Sequence, residues 1–199
     1  LDSTASRAEH SLTHDKPRFA FFQVFQPRGG GKRQAPTFDV IAPGVAKHEE
    51  EIVLAPGAEP AADPNLVLRV AVAAAEYGLP IAPGTLRNLK KCPIGDRNWT
   101  DESRELFIRL LASGPALLNV WEDIDFIDVP GKLIPEWLGV RNRPSASAAH
   151  RYTIDRHMVE VVTRLGRETP SGGRYDDRHY EALLLAGILH DIGKRPGVA

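Results

Sequence analysis

The stretch Leu183-Leu184-Leu185-Ala186-Gly187-Ile188-Leu189-His190-Asp191-Ile192-Gly193-Lys194 sets the terms for reading the rest of the chain. From Ala182 to Ile192 the residues are apolar almost all round, the pattern of a helix packed in an interior. An ionised, unpaired carboxylate is costly in such a place, so Asp191 is expected either at the wet end of the helix or beside a cation. A metal suits the pair. Histidine offers a neutral ring nitrogen, and a carboxylate can bridge two ions. Consecutive residues, about 100° apart on a helix, reach one site when that site sits over the helix end.

Working outward, Ile154, His157, Met158, Val161, Val162 and Leu165 recur at helical spacing, which predicts a helix over 153–165 closed by Gly166. His157 falls in its apolar stripe and so faces whatever the helix packs against. If the two helices run antiparallel, His157 supplies a distant third ligand to His190 and Asp191. The loop from Glu168 to Tyr175, with Pro170, Gly172 and Gly173, leads into the second helix near Asp177. The stretch from Pro130 to Pro144 reads as irregular.

Further upstream, short amphipathic helices follow one another. Asp63-Pro64 reads as N-cap and first helical residue of a helix through Leu66, Val67, Val70, Ala71 and Ala74 that stops at Gly78 and Pro80. Others are expected around Thr85 to Leu89, from Thr100 to Leu111 with Gly114-Pro115 behind, and through Leu117, Leu118, Trp121 and Ile124. Such helices must pack on each other to hide their stripes. The first 62 residues read as an extended or β connector, with strands expected over Phe19 to Phe25 and Glu51 to Leu54. Between them, Pro27-Arg28-Gly29-Gly30-Gly31-Lys32-Arg33 lacks the spacing and the Ser or Thr of a phosphate-binding loop and reads as a flexible basic turn.

Composition narrows the function classes. With 25 Lys and Arg against 26 Asp and Glu there is no general pull toward nucleic acid. Apolar residues at 42% suffice for a core and argue against wholesale disorder. The single Cys92 excludes an intrachain disulfide and favours a reducing, cytoplasmic setting. No apolar run approaches the roughly 18 to 20 residues of a membrane span. The chain opens at Leu1 without a leader pattern, which gives the expectation that it is a piece of a longer protein.

His157 followed by His190-Asp191 within Leu-His-Asp-Ile-Gly-Lys resembles the first half of the motif of the HD superfamily of metal-dependent phosphohydrolases. Leu133-Ile134-Pro135-Glu136-Trp137, Val140-Arg141, Arg143-Pro144 and His150-Arg151-Tyr152-Thr153-Ile154-Asp155-Arg156-His157 are similar to the HD domain of the GlnD family, the bifunctional uridylyltransferase/uridylyl-removing enzymes of PII signal-transduction proteins. Ala42-Pro43-Gly44-Val45, Ala61-Ala62-Asp63-Pro64, Leu68-Arg69, Gly78-Leu79-Pro80-Ile81 and Gly114-Pro115 resemble the region joining the nucleotidyltransferase and HD domains there. The resemblance spans roughly residues 40 to 197 and implies a mainly α fold in three parts. These are a connector over 1–62 that follows an absent nucleotidyltransferase domain, a helical linker region over 63–132, and the first part of an HD domain over 133–199.

It further implies His157, His190 and Asp191 as ligands of Mg²⁺ or Mn²⁺, and hydrolysis of a nucleotidyl group, UMP or AMP, from a tyrosine of a PII protein in nitrogen regulation. His190, Asp191 and Lys194 are the implied catalytic residues, Lys194 either meeting phosphate or serving only as a favourable charge at a helix C-terminus. Mixed His and carboxylate ligation favours Mn²⁺ somewhat. Glutamine is the implied effector, through ACT domains absent here. The superfamily's closing Asp would fall beyond Ala199, so weak metal binding and little hydrolysis are expected of this chain alone. Asp155, Asp176 and Asp177 are poorly placed to substitute. His150, Arg151 and Arg156 are weaker candidates for contact with substrate phosphate, while His10, His14, His48 and His179 read as ordinary. Trp99, Trp121 and Trp137 read as packing anchors. Two other readings remain open: an HD phosphohydrolase acting on free or cyclic nucleotides, and a regulatory module without catalysis.

Overall fold

The computed structural model describes residues 37–95, 99–145, 152–166 and 177–194. The expected strand over 19–25, the basic turn over 27–33, and His10, His14, His150, Arg151 and Asp176 lie outside them. The fold is mainly α with a small antiparallel sheet at its N-terminal side, as the sequence leads one to expect.

Strands β1 (Asp39–Ala42), β2 (Val45–His48) and β3 (Glu51–Leu54) form a meander in the order β1-β2-β3. Only β3 was legible beforehand, from its run Ile52-Val53-Leu54; β1 and β2, equally short, lie either side of Pro43-Gly44 in a stretch that reads as connector. Their turn is written in Pro43-Gly44: Gly44 has φ +75°, and a Cβ there would lie 2.8 Å from the Leu66 side chain. On its far edge β3 exchanges backbone hydrogen bonds with the Pro80 carbonyl and the Ala82 amide, which anchors the sheet to the chain after the first helix.

That helix, α1 (Leu66–Tyr77), is the centre of the molecule. Leu66, Val67, Leu68 and every residue from Val70 to Ala75 are buried. It begins two residues later than Asp63-Pro64 suggests, because Asp63 spends its carboxylate on the Asn65 amide at 3.1 Å and on the Arg69 guanidinium. Gly78, left-handed at φ 64°, ends it as expected. Around α1 stand α2 (Pro83–Leu89), α3 (Asp101–Leu111) and α4 (Ala116–Phe126). Thr100 caps α3 by accepting from the Ser103 amide at 3.0 Å, and Asn65 joins that cap, accepting from the Ser103 hydroxyl at 2.7 Å and donating to Glu102 at 2.8 Å.

The stretch from Pro130 to Pro144 is more ordered than its composition suggests. A short helix α5 (Val129–Leu133) and a 3₁₀ turn (Pro135–Gly139) place Trp137 in the core at 1% exposure. Proline at the first positions of both costs nothing there, since those amides have no helical partner. Arg141 ties this region back to α4, donating to Asp125 at 3.0 Å and Asp128 at 2.7 Å.

Helices α6 (Ile154–Leu165) and α7 (Asp177–Leu189) complete the described fold. Gly166 closes α6 for a reason other than backbone freedom. A Cβ there would come within 2.8 Å of the Gly114 amide nitrogen and 3.1 Å of the Ala112 carbonyl oxygen. The expectation of an interior α7 is not met. Tyr180, Leu184 and Ile188 are buried, but Ala182, Ala186 and Leu189 are exposed. Leu185, Ile188 and Leu189 of α7, with Trp99, Phe107 and Leu133, wall an open apolar cavity of about 500 Å³. Trp99 rests edge-on against Phe107, yet is 42% exposed rather than a core anchor.

Candidate metal centre

Helices α6 and α7 run antiparallel. Tyr180 at the start of α7 donates to the Leu165 carbonyl at the end of α6, while His190 just past α7 meets His157 in the first half of α6. They approach closely because α7 carries Gly187 where a Cβ would sit 2.9 Å from Leu165 Cδ1 and 3.1 Å from Val162 Cγ2. On α6 the deeply buried residues are Ile154, Asp155, Met158, Val159, Val162 and Thr163, so His157 stands half-buried at the edge of the apolar stripe.

His190 and Asp191 belong to the turn that follows α7, in which the Ile192 amide donates to the Leu189 carbonyl and the Lys194 amide to the Asp191 carbonyl, each at 3.0 Å. The pair therefore lies at the helix end, where both side chains reach one point. His190 Nδ1 is 2.8 Å from the Gly187 carbonyl. That oxygen can only accept, so Nδ1 carries the proton and Nε2 presents its lone pair in the neutral ring. His190 Nε2 lies 3.3 Å from His157 Nε2 and 3.7 Å from Asp191 Oδ2. One donor atom from each of His157, His190 and Asp191 falls within 4.8 Å of the other two.

The 3.3 and 3.7 Å separations are those of ligands on a single ion, since two ligands each about 2.1 Å from a metal stand roughly 3 to 4 Å apart at the angles such ions adopt, and a small turn of the His157 ring would bring the third pair into the same range. Asp191 is buried and its electrostatics agree. Burial works to raise its carboxyl pKa, but the hydrogen bond and the charge of Lys194, with the neighbouring imidazoles of His190 and His157, outweigh it, and the net shift is downward. The carboxylate is thus held ionised.

Lys194 donates to Asp191 Oδ2 at 2.8 Å and so partners the carboxylate. Asp155 is directed elsewhere, its two oxygens accepting from the Asn142 and Arg156 amides at 2.7 and 2.9 Å. Arg156 pairs with Glu122 and Glu160. His48 on β2 packs its ring at a tilt against Phe38, just before β1, and His179 lies near the start of α7, about three turns from His190. What sequence reasoning missed is the Gly187 carbonyl that orients His190. Its only trace was position, three residues before the histidine on a helix.

The fold and site together define a small helical domain whose last two helices bring a His, His, Asp set to one point. The sequence is similar to that of three known enzymes. The chain is 40% identical over 169 residues to the bifunctional uridylyltransferase/uridylyl-removing enzyme of Streptomyces coelicolor, which covers 84% of the chain and 19% of the relative. It is 39% identical over 155 residues to the enzyme of the same name from Mycobacterium tuberculosis, covering 77% and 19%. With that of Corynebacterium glutamicum it shares 34% over 132 residues, covering 66% and 18%. The chain is homologous to a segment of these enzymes, the family its sequence resembles, and spans about a fifth of their length. No family profile matches the chain, and no solved structure does.

Proposed function

We propose that this chain carries the uridylyl-removing site of such a bifunctional enzyme, as the leading part of an HD-type phosphohydrolase domain, with His157, His190 and Asp191 holding Mg²⁺ or Mn²⁺. The observation that carries the reading is the meeting of His157 Nε2 and His190 Nε2 at 3.3 Å beside the Asp191 carboxylate, from residues 33 positions apart. Imidazoles facing each other nitrogen to nitrogen gain most when both lone pairs serve one cation. A bound divalent ion would lower the pKa of a coordinated water toward neutrality and offset charge on phosphoryl oxygens.

The protein's own groups prepare the rest. The Gly187 carbonyl fixes the His190 tautomer, and Lys194 keeps Asp191 ionised before metal arrives. On release from the carboxylate, the Lys194 ammonium is free to meet a phosphoryl oxygen. The proposed substrate is a PII protein bearing UMP, or AMP, on a tyrosine. Water bonds to phosphorus, the bond from phosphorus to the phenolic oxygen breaks, and that oxygen takes a proton to leave as tyrosine. Two neutral imidazoles and one carboxylate bring a single negative charge, so tight binding of a divalent pair calls for further carboxylate ligands.

The test uses the whole enzyme that carries this chain, Mn²⁺ and nucleotidylated PII protein, followed by intact mass. His190→Ala and Asp191→Ala are expected to lower removal at least 100-fold while leaving transfer intact. Unimpaired removal by either variant overturns the reading. Hydrolysis of free nucleotides but not of the modified protein would keep the metal chemistry and replace the substrate.

A further inference from the structure

Helix α6 is held at its start by a residue inside it. Thr153 stands at the N-cap position without a side-chain cap bond. The cap comes from Asp155 in the first turn, whose Oδ1 accepts from the Arg156 amide at 2.9 Å and whose Oδ2 accepts from the Asn142 amide at 2.7 Å. An ionised carboxylate has two acceptor oxygens and no donor, so buried Asp155 serves amides on two segments at once. Asn142 is left-handed at φ 55°, and beside it the Arg143 carbonyl accepts from the Ile154 amide at 2.9 Å. Through Arg141 the same segment is fixed to Asp125 and Asp128. The beginning of α6 is therefore pinned to a part of the fold that is itself pinned.

Arg156, about 100° further round the helix, grips a different neighbour, pairing with Glu122 on α4. Both partners of that pair are well exposed, which makes it the weaker anchor. His157 comes next. Two anchors in different directions on one turn fix the rotation of a helix, and the third residue is left one direction in which to point. That direction brings His157 Nε2 to 3.3 Å from His190 Nε2, with the rings 5.2 Å apart and steeply inclined. Turning α6 by about 20° would carry a side-chain tip roughly 2 Å, enough to take a ligand off an ion. We propose that Asp155 is the positioning residue for His157, its carboxylate setting the rotation of α6 that presents the imidazole to His190 and Asp191. The consequence for metal rests on the reading of these three residues as ligands.

The test uses the full 199-residue chain with isotope-labelled histidine. Magnetisation transfer between the His157 and His190 ring protons reports their contact before Mn²⁺ is added. Paramagnetic broadening of each imidazole then reports Mn²⁺ binding, with His48 and His179 as internal controls. Asp155→Ala is expected to remove the ring contact and to raise the Mn²⁺ concentration that half-broadens His190 about tenfold. Asp155→Asn keeps one acceptor oxygen and should fall between. Leu66→Ala loosens the core on α1 and should leave both readings as they are, which separates positioning from a general loss of stability. If both Asp155 variants keep the ring contact and the Mn²⁺ response of the unaltered chain, Asp155 only caps a helix and the proposal is overturned. If Mn²⁺ broadens His157 and His190 no more than the controls in the unaltered chain, while Asp155→Ala still loses the ring contact, the metal reading falls and the positioning stands.

Discussion

Leu66–Tyr77 and Asp177–Leu189 each contain a long apolar run, yet α1 is buried around most of its circumference whereas α7 keeps Ala182, Ala186 and Leu189 open. The difference lies in the neighbours. α1 is met by β2, β3, α3 and α4, while α7 is met chiefly by α6 and α3. Apolar density in a sequence states how much surface a helix can bury; the number of elements that reach it decides how much it does. The two also differ in what their polar residues do. On α1, Arg69 is turned to structural use, donating to the Pro43 carbonyl at 2.6 Å and pairing with Asp63 and Glu102. At the end of α7, His190 and Asp191 face each other and His157 instead.

The comparison can be broken or sharpened by substitution. Leu66→Ala on α1 removes a fully buried side chain that also packs on the Gly44 turn, and should cost about 2–5 kcal/mol in chemical denaturation. A loss below about 1 kcal/mol would mean that α1 is not the centre of the core. Gly187→Ala should cost about 1–3 kcal/mol, because the new methyl meets Leu165 and Val162 and must push α6 and α7 apart. Mn²⁺ affinity is expected to fall with it, since the same movement separates His157 from His190.

Cys92, buried near α1, tests how tightly the central region is closed. Burial, then the charge of Asp63, pushes its thiol from 9.0 up to about 11. A folded pKa above the unfolded one leaves stability intact below about pH 9 and erodes it as pH rises toward 11. At pH 8 the thiolate is about 100-fold scarcer than in a free thiol, so labelling should wait on unfolding; prompt reaction with a thiol reagent in native buffer would contradict that closure. Leu189→Gln on the open side of α7 should change stability by no more than about 0.5 kcal/mol, and a cost like that of Leu66→Ala would show that this face is covered in solution.

Much of this was legible beforehand. Periodicity located α1 to α4 and α6, an unbroken apolar run located α7, and the residue types of His157, His190 and Asp191 named a cluster that the fold brings together. β1 and β2 escaped notice because the Pro and Gly around them read as connector, whereas β3, no longer than they are, shows the apolar run Ile52-Val53-Leu54. The order within Val129–Gly139 was hidden because proline and glycine read as breakers unless their position at a helix start is known.

The crossing of Gly166 over Gly114 limits how the molecule can be re-engineered. Most tight contacts in a protein can be relieved by trimming the opposing side chain, but here the opposing atoms are the Gly114 backbone and the Ala112 carbonyl. Gly114 itself has φ 61°, a conformation that side chains rarely accept. No second-site substitution can make room for a first at position 166. The end of α6 is therefore seated at one fixed depth beneath the turn between α3 and α4, and a library that varies these two glycines will return only glycine at 166, whatever is allowed elsewhere.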